Sequence, residues 1–411
     1  MHLKGERIVQ RVIVLSGANL FASATGFLAT IAIARFFGSE GLGLSNLAAS
    51  FVAFALATTT FGTDLQAFRK ATVSPETIGH QFAVIARLRT IMMIVSYSAM
   101  MAIVALVPQW RDATPLVAVL GLSIVASPLA QEWMPQFLRR TDVTALASAV
   151  AQSIYIALLS LVIFVGGSLW MALLAKTLAD VFVAFSVRAW LRRLLNYPKH
   201  QVNFGQLFDL VREAWPLYGT QLLRTLALTS DIVILGILVS RQDLGHYSAA
   251  SRIFYLLMAF TTSYFVVLLP RFSEAAVRSN LELRKCLRQS LKFTMPLALL
   301  AVLTIAITGR WALIFGFGES FSVAAPSLTL LSFATVASLI GRHYRQILIS
   351  RGRHRTDLHV NVAGAATHIL SKIILIPMLG FTGAAFGTLI GETMTWLGHR
   401  RAALRELNPS Q

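Results

Sequence analysis

The chain has 411 residues, of which 56% are hydrophobic and 13% charged, with a mean hydropathy of +0.67. Soluble domains carry about 25% charged residues, so a soluble globular fold is excluded. The formal charge of +18 would suit a nucleic-acid partner, but the arginines fall in short loops between apolar runs, a pattern of membrane topology and not of a DNA-binding surface.

Apolar runs of roughly 20 residues, enough to cross a bilayer, recur along the whole length and leave no stretch for a soluble domain. They predict twelve spans near 12–35, 43–66, 88–108, 114–135, 143–166, 168–188, 214–239, 244–268, 291–312, 323–346, 358–378 and 380–399. The first is too long for a signal-peptide core and lacks a small-residue cleavage site, so it reads as a retained helix. Cys286 is the single cysteine, allows no intrachain disulfide and is given no role.

The loops test this reading. Of the 36 lysines and arginines, 27 fall on one side of the alternating spans, four on the other and five elsewhere. By the positive-inside rule this asymmetry predicts an even number of spans with both termini in the cytoplasm. The longest polar connection, Ala189 to Phe208, separates six spans from six, so the expected lobes are 1–200 and 201–411. The halves align at an offset of 202 residues: Gly17 with Gly219, Asn19 with Gln221, Leu42-Gly43 with Leu244-Gly245, and Ala48 with Ala250. Two six-helix lobes of the same topology is a plan common in secondary transporters.

In the first lobe, span one offers Ser16, Asn19, Ser23 and Thr30 along one face, suited either to a wet face or to helix packing. Asp64 and Glu132 are further ionisable residues at membrane depth. Arg87 and Arg89 read as headgroup anchors, as do Arg342 and Arg345 of the second lobe. Lys176 and Asp180, four apart on span six, can neutralise each other. Pro128, Pro216 and Pro296 lie inside spans, where each removes a backbone hydrogen bond.

The stretch from Ala214 to Arg271 reads as two long apolar helices joined by a short polar turn. Arg224 and Asp231 lie seven apart on the first; Ser248, Ser251, Arg252, Tyr255 and Thr262 follow helical spacing on the second. A charge at bilayer depth costs roughly 2.5–3.5 kcal/mol, so these stripes should face a partner or a wet cavity. Lys372 shares a stripe of span eleven with Asn361, Ala365 and His368. The expected substrate cavity therefore comprises Arg252, Arg224, Lys372, Asn19, Tyr255 and Gln221, and its guanidinium groups suit an anionic, phosphate-bearing or sugar-bearing cargo. Asp231, Asp64, Asp180 and Glu392 are the candidates for ion coupling, by H+ or Na+. Asp231 either neutralises Arg224 or binds a coupling cation, and both readings stand.

No phosphate-binding loop, zinc-protease motif, paired cysteines or G-x-S-x-G elbow occurs. The expectation is a transporter, not an enzyme, with no metal and no cofactor beyond a coupling ion.

ARFFGSEGLGLSNLAASFVAF, in spans one and two, resembles the opening of oligosaccharide flippases of the polysaccharide-transporter (Wzx-like) family, part of the multidrug/oligosaccharidyl-lipid/polysaccharide (MOP) exporter superfamily. WPLYGTQLLRTLALTSDIVILGILVSRQDLGHYSAASRIFYLL resembles the same family's seventh and eighth spans. GESFSVAAPSLTLLSF, SRGRHRT and IPMLGFTGAAFGTLIGE are similar to its later spans in order.

The resemblance implies an all-α integral membrane protein of the bacterial cytoplasmic (inner) membrane. It would turn an undecaprenyl-pyrophosphate-linked oligosaccharide across the bilayer by alternating access, for O-antigen, capsule or exopolysaccharide synthesis. The implied partners are that lipid, the surrounding membrane lipid and a polysaccharide polymerase complex, with no nucleic acid. In related flippases arginines on spans one, two and eight line the cavity. Only Arg252 has a clear counterpart here; span one carries Asn19 instead, and Lys372 and Arg224 could supply the missing charge. The alternatives are a MATE-type antiporter for organic cations, which would use Asp64, Asp231 and Glu392, a membrane glycosyltransferase or polymerase, and a non-transporting scaffold.

Overall fold

The computed structural model describes residues 2–73, 78–131, 133–138, 140–195 and 202–407. Among them the chain is helical, with short 3₁₀ turns and no strand. The helices are α1 (His2–Thr60), α2 (Thr63–Val73), α3 (Ile78–Leu106), α4 (Thr114–Gly121), α5 (Ala126–Ala130), α6 (Trp133–Phe137) and α7 (Thr141–Phe164). They continue as α8 (Leu169–Leu195), α9 (Phe204–Leu238), α10 (Arg241–Arg278), α11 (Asn280–Phe317), α12 (Ala325–Ser350), α13 (His354–Leu379) and α14 (Phe381–Leu407).

Eight described segments are long and apolar enough to cross a membrane. One of them, Phe21–Thr60, is two helices joined at Gly38, whose φ of 70° only glycine adopts without strain. Helices α9, α10 and α14 are also long enough to cross, with α10 and α14 the more polar. Counting the joined pair as two and adding these three recovers twelve crossings. Two polar turns have clear stop-and-start signals. Ser240 Oγ accepts the Asp243 amide at 3.1 Å and Ser279 Oγ accepts the Glu282 amide at 3.1 Å, each satisfying one of the free N–H groups of the helix it opens.

Two predicted spans differ from the structure. The second, expected over 43–66, ends at Phe61-Gly62, both with positive φ (49° and 66°), and α2 starts afresh at Thr63. A Cβ on Gly62 would lie 2.7 Å from the Tyr218 nitrogen, so the bend lets two backbones meet. The fourth, expected over 114–135, is broken into α4, a 3₁₀ turn, α5 and α6, with Gln131 left-handed (φ 41°). Pro128 and Pro135 each withhold an N–H from a continuous helical ladder there, while Pro115 sits in the first turn of α4 where none is needed. By contrast, α9, α10, α11 and α13 run on through Pro216, Pro270, Pro296 and Pro377.

By packing the chain forms two compact units, Met1–Phe37 with Leu44–Thr229, and Gly38–Gly43 with Ser230–Gln411. In the first, Phe82, Leu88, Trp133, Met134, Leu191 and Leu207 form a buried cluster. In the second, Phe265, Phe272, Leu283, Ile347 and Leu407 do the same. Outward-facing Leu300, Leu303, Ile307 and Phe315 of α11 are exposed, as expected of a helix whose solvent is lipid. Within the second unit, α13 and α14 pack through a stripe of small residues. Cβ atoms on Gly383, Gly387 and Gly391, one turn apart, would strike Leu375, Lys372 and His368 respectively. Small residues let membrane helices approach closely enough for dispersion to hold them.

Candidate functional site

In the first unit, helices α1, α2, α3, α7, α8 and α9 and the broken 114–137 stretch line a cavity of about 490 Å³. That is within the roughly 300–1,000 Å³ typical of ligand sites. Asp64, Asp180 and Gln221, three of the residues singled out in the sequence, line it together with Arg89, Thr60, Ser127, Ser148 and Gln152. Gln221 Nε2 donates to Thr60 Oγ1 at 3.1 Å.

Arg89 departs from the expectation of a headgroup anchor: it is 2% exposed and its guanidinium turns inward. Nη2 lies 2.7 Å from Asp64 Oδ1. Nε and Nη2 donate to Thr63 Oγ1 at 3.0 and 2.8 Å, and Nη1 to the Ser127 carbonyl at 3.4 Å. The left-handed turn beside it is held by Gln131, which donates to the Phe82 carbonyl and accepts from Trp133 Nε1 at 3.0 Å. Arg87, two residues earlier, is exposed. Lys176 Nζ lies 2.5 Å from Asp180 Oδ1. Both cavity carboxylates therefore have a cation of their own.

The second unit brings together Asp231 of α9 and Lys372 of α13. Both are nearly fully buried, 4% and 1% exposed, with Lys372 Nζ 3.8 Å from Asp231 Oδ2. Tyr247 donates to the same carboxylate oxygen at 2.7 Å. The Lys372 stem lies on Gly387, where a Cβ would come 2.6 Å from Lys372 Cγ. The sequence left open which group balances Asp231; here an ammonium from span eleven stands beside it.

Of the other singled-out residues, Tyr255 is partly buried with its ring 5.4 Å from that of Phe254, and Arg252 is partly buried on the same helix. Glu392 lies 3.8 Å from His368 Nε2. The side chains of Asn19 and Arg224, and all of Glu132, lie outside the described residues.

Arg345, whose side chain is 43% exposed, pairs with an aspartate of α13. Its Nε and Nη2 donate to the two oxygens of Asp357 at 2.8 and 3.0 Å, and His399 Nε2 lies 3.0 Å from Asp357 Oδ1. Near the start of α9, the Lys70 ammonium lowers the Glu213 carboxyl, with Gln66 as a second donor.

Gln152, Ser127, Asp357 and His399 were missed in the sequence. Their partners are far off in the chain, and nothing in helical spacing marks them.

The sequence matches the family described as "Polysaccharide biosynthesis protein" over residues 8–276. It is 27% identical over 189 residues to the "Probable flippase AglR" of Haloferax volcanii, a match that spans 44% of this chain and 39% of that protein. In structure it is similar to an inward-facing "multidrug resistance MATE family transporter of the MOP superfamily", with a TM-score of 0.76 at 15% identity over 97% of this chain and 98% of that one. It is also similar to the "Lipid II flippase MurJ" in an inward closed conformation, with a TM-score of 0.73 at 15% identity over 95% and 87%. Its fold is the multi-pass α-helical fold that these transporters share, and the chain belongs to the family described as "Polysaccharide biosynthesis protein".

Proposed function

We propose that the protein is a flippase that moves an undecaprenyl-pyrophosphate-linked oligosaccharide from the cytoplasmic to the periplasmic leaflet of a bacterial inner membrane. The end product would be O-antigen, capsule or exopolysaccharide. The observation that carries this reading is a cavity of about 490 Å³, lined by polar and apolar side chains together, in a protein whose outer surface is built for lipid. A polar headgroup can be taken through the bilayer in such a cavity while its tail stays in hydrocarbon. Membership of the family and the partial likeness to a probable flippase support a flippase in polysaccharide biosynthesis. The two six-helix lobes, 1–200 and 201–411, would alternate access, and the exporter would work beside a polymerase. Arg252, Arg224, Lys372, Tyr255 and Asn19 are proposed to attract the pyrophosphate. H+ or Na+ coupling through Asp231 or Glu392 is proposed as the drive.

A second reading, a cation antiporter, draws on the likeness to MATE transporters and on Asp64 and Asp180 at the cavity wall. It is disfavoured because each of these carboxylates is already matched by a cation, Arg89 or Lys176.

Lipid analysis of a strain lacking the protein separates the two. The flippase reading expects a lipid-linked oligosaccharide to accumulate and to be cleared by the restored gene. No accumulation, with new sensitivity to cationic dyes, would move the protein to the antiporter class.

A further inference from the structure

The first-unit cavity has a chemistry of its own. Among the described residues its charged lining side chains are Asp64, Arg89 and Asp180, and Arg89 is committed to Asp64. Guanidinium and ammonium groups are what grip phosphate, and the described wall has none to spare. What it presents instead are amides and hydroxyls, chiefly Gln152, Gln221, Ser127, Ser148 and Thr60. These groups both donate and accept, as sugar hydroxyls do.

Two buried atoms at this wall, Ser127 Oγ and Gln152 Oε1, make no hydrogen bond within the described protein. Buried polar atoms without partners cost free energy, and these two belong to residues that line the cavity. Asp180 adds a carboxylate, which accepts strongly from hydroxyls while Lys176 balances its charge.

We propose that this cavity is a glycan subsite that reads the hydroxyls of the sugar portion of the cargo, with Gln152 and Asp180 as specificity-determining residues. The proposal rests on the flippase reading and deepens it. Sugar recognition belongs to the first unit alone, and the pyrophosphate is held by other residues.

The test uses the full-length protein in lipid nanodiscs and three probes. They are the lipid-linked oligosaccharide pool from a strain lacking the protein, sugar-free undecaprenyl pyrophosphate, and the cationic dye ethidium. Binding is read by thermophoresis, with melting temperature confirming folded protein. Gln152→Ala is expected to weaken the oligosaccharide lipid about tenfold, the loss of one good hydrogen bond, and to leave the sugar-free lipid unchanged. Ser148→Phe, which fills the cavity from an exposed position, is expected to do the same and serves if Gln152→Ala does not fold.

If the wild type binds the oligosaccharide lipid and both folded variants bind it equally well, the subsite is overturned and the flippase reading stands. Equal weakening of both lipids would also overturn it, since the cavity would then read the shared pyrophosphate or tail. If the wild type binds ethidium and neither lipid, the flippase reading falls with it.

Discussion

Gly43 and Gly245 meet backbone to backbone. A Cβ on Gly43 would lie 2.5 Å from the Arg241 carbonyl oxygen and 2.9 Å from the Gly245 nitrogen, and one on Gly245 would run into the Ser39 carbonyl. At the 202-residue offset Gly43 is the counterpart of Gly245 and Ser39 of Arg241, so the contact is reciprocal: each glycine faces the carbonyl equivalent to the one its partner faces. The Arg241–Glu40 ion pair, 3.2 Å long, lies beside it.

This contact leaves no room for a methyl group. Gly245→Ala should cost about 3 kcal/mol, the upper end of overpacking penalties, and should impair transport. Gly219→Ala is the control, since its Cβ would meet nothing within 4 Å; it should be neutral or stabilise by about 0.5 kcal/mol. Melting temperatures of the two purified variants check this. A Gly245→Ala protein as stable as the Gly219→Ala protein would refute the close approach.

The Asp231–Lys372 pair predicts a strongly coupled double-mutant cycle. Lys372→Met alone leaves a buried carboxylate uncompensated and should cost about 3–5 kcal/mol. Adding Asp231→Asn removes that charge and should recover most of the loss. Thermal unfolding of the four proteins measures it, and additive effects would rule out a direct pair.

Asp357 accepts from Arg345 at 2.8 and 3.0 Å and lies 3.0 Å from His399 Nε2. Asp357→Asn should be less stable by about 2 kcal/mol at pH 7, since bonds to a charged group are lost. Thermal unfolding measures it, and equal melting temperatures for variant and wild type would contradict this.

The Lys70–Glu213 pair should matter little. Both side chains are about half exposed, 48% and 46%, and exposed pairs are worth about 0–1 kcal/mol. Glu213→Gln should therefore shift the melting temperature by no more than a degree or two at moderate salt. A large drop would mean that the pair is shielded from solvent.

Much of the fold was legible because lipid imposes one rule on every span: roughly 20 apolar residues between polar ends. The breaks at Phe61-Gly62 and Gln131 were not. Both depend on what a distant helix needs, such as room for Tyr218 against Gly62. The glycine stripe of Gly383, Gly387 and Gly391 was in plain sight at one-turn spacing, yet its partner helix could not be read from it.

The site was legible only in part. Asp64, Asp180, Gln221, Asp231 and Lys372 stood out as polar residues in apolar runs, and the structure gives each a neighbour. Arg89 was mistaken for an anchor because a position near a span's end says nothing of which way a long side chain turns. Here it turns inward to Asp64. Gln152 and Ser127 went unnoticed because uncharged polar residues are common in membrane helices, and only three-dimensional proximity sets them apart.

The most direct test of the account is a flipping assay in proteoliposomes. The purified protein is reconstituted with the lipid-linked oligosaccharide pool, and a membrane-impermeant glycosidase reports which leaflet holds the sugar. The account predicts that protein-containing vesicles expose the inner-leaflet pool to digestion while protein-free vesicles keep it protected. An inner pool that stays protected beside the folded protein, in vesicles that exchange a cationic dye, would contradict it.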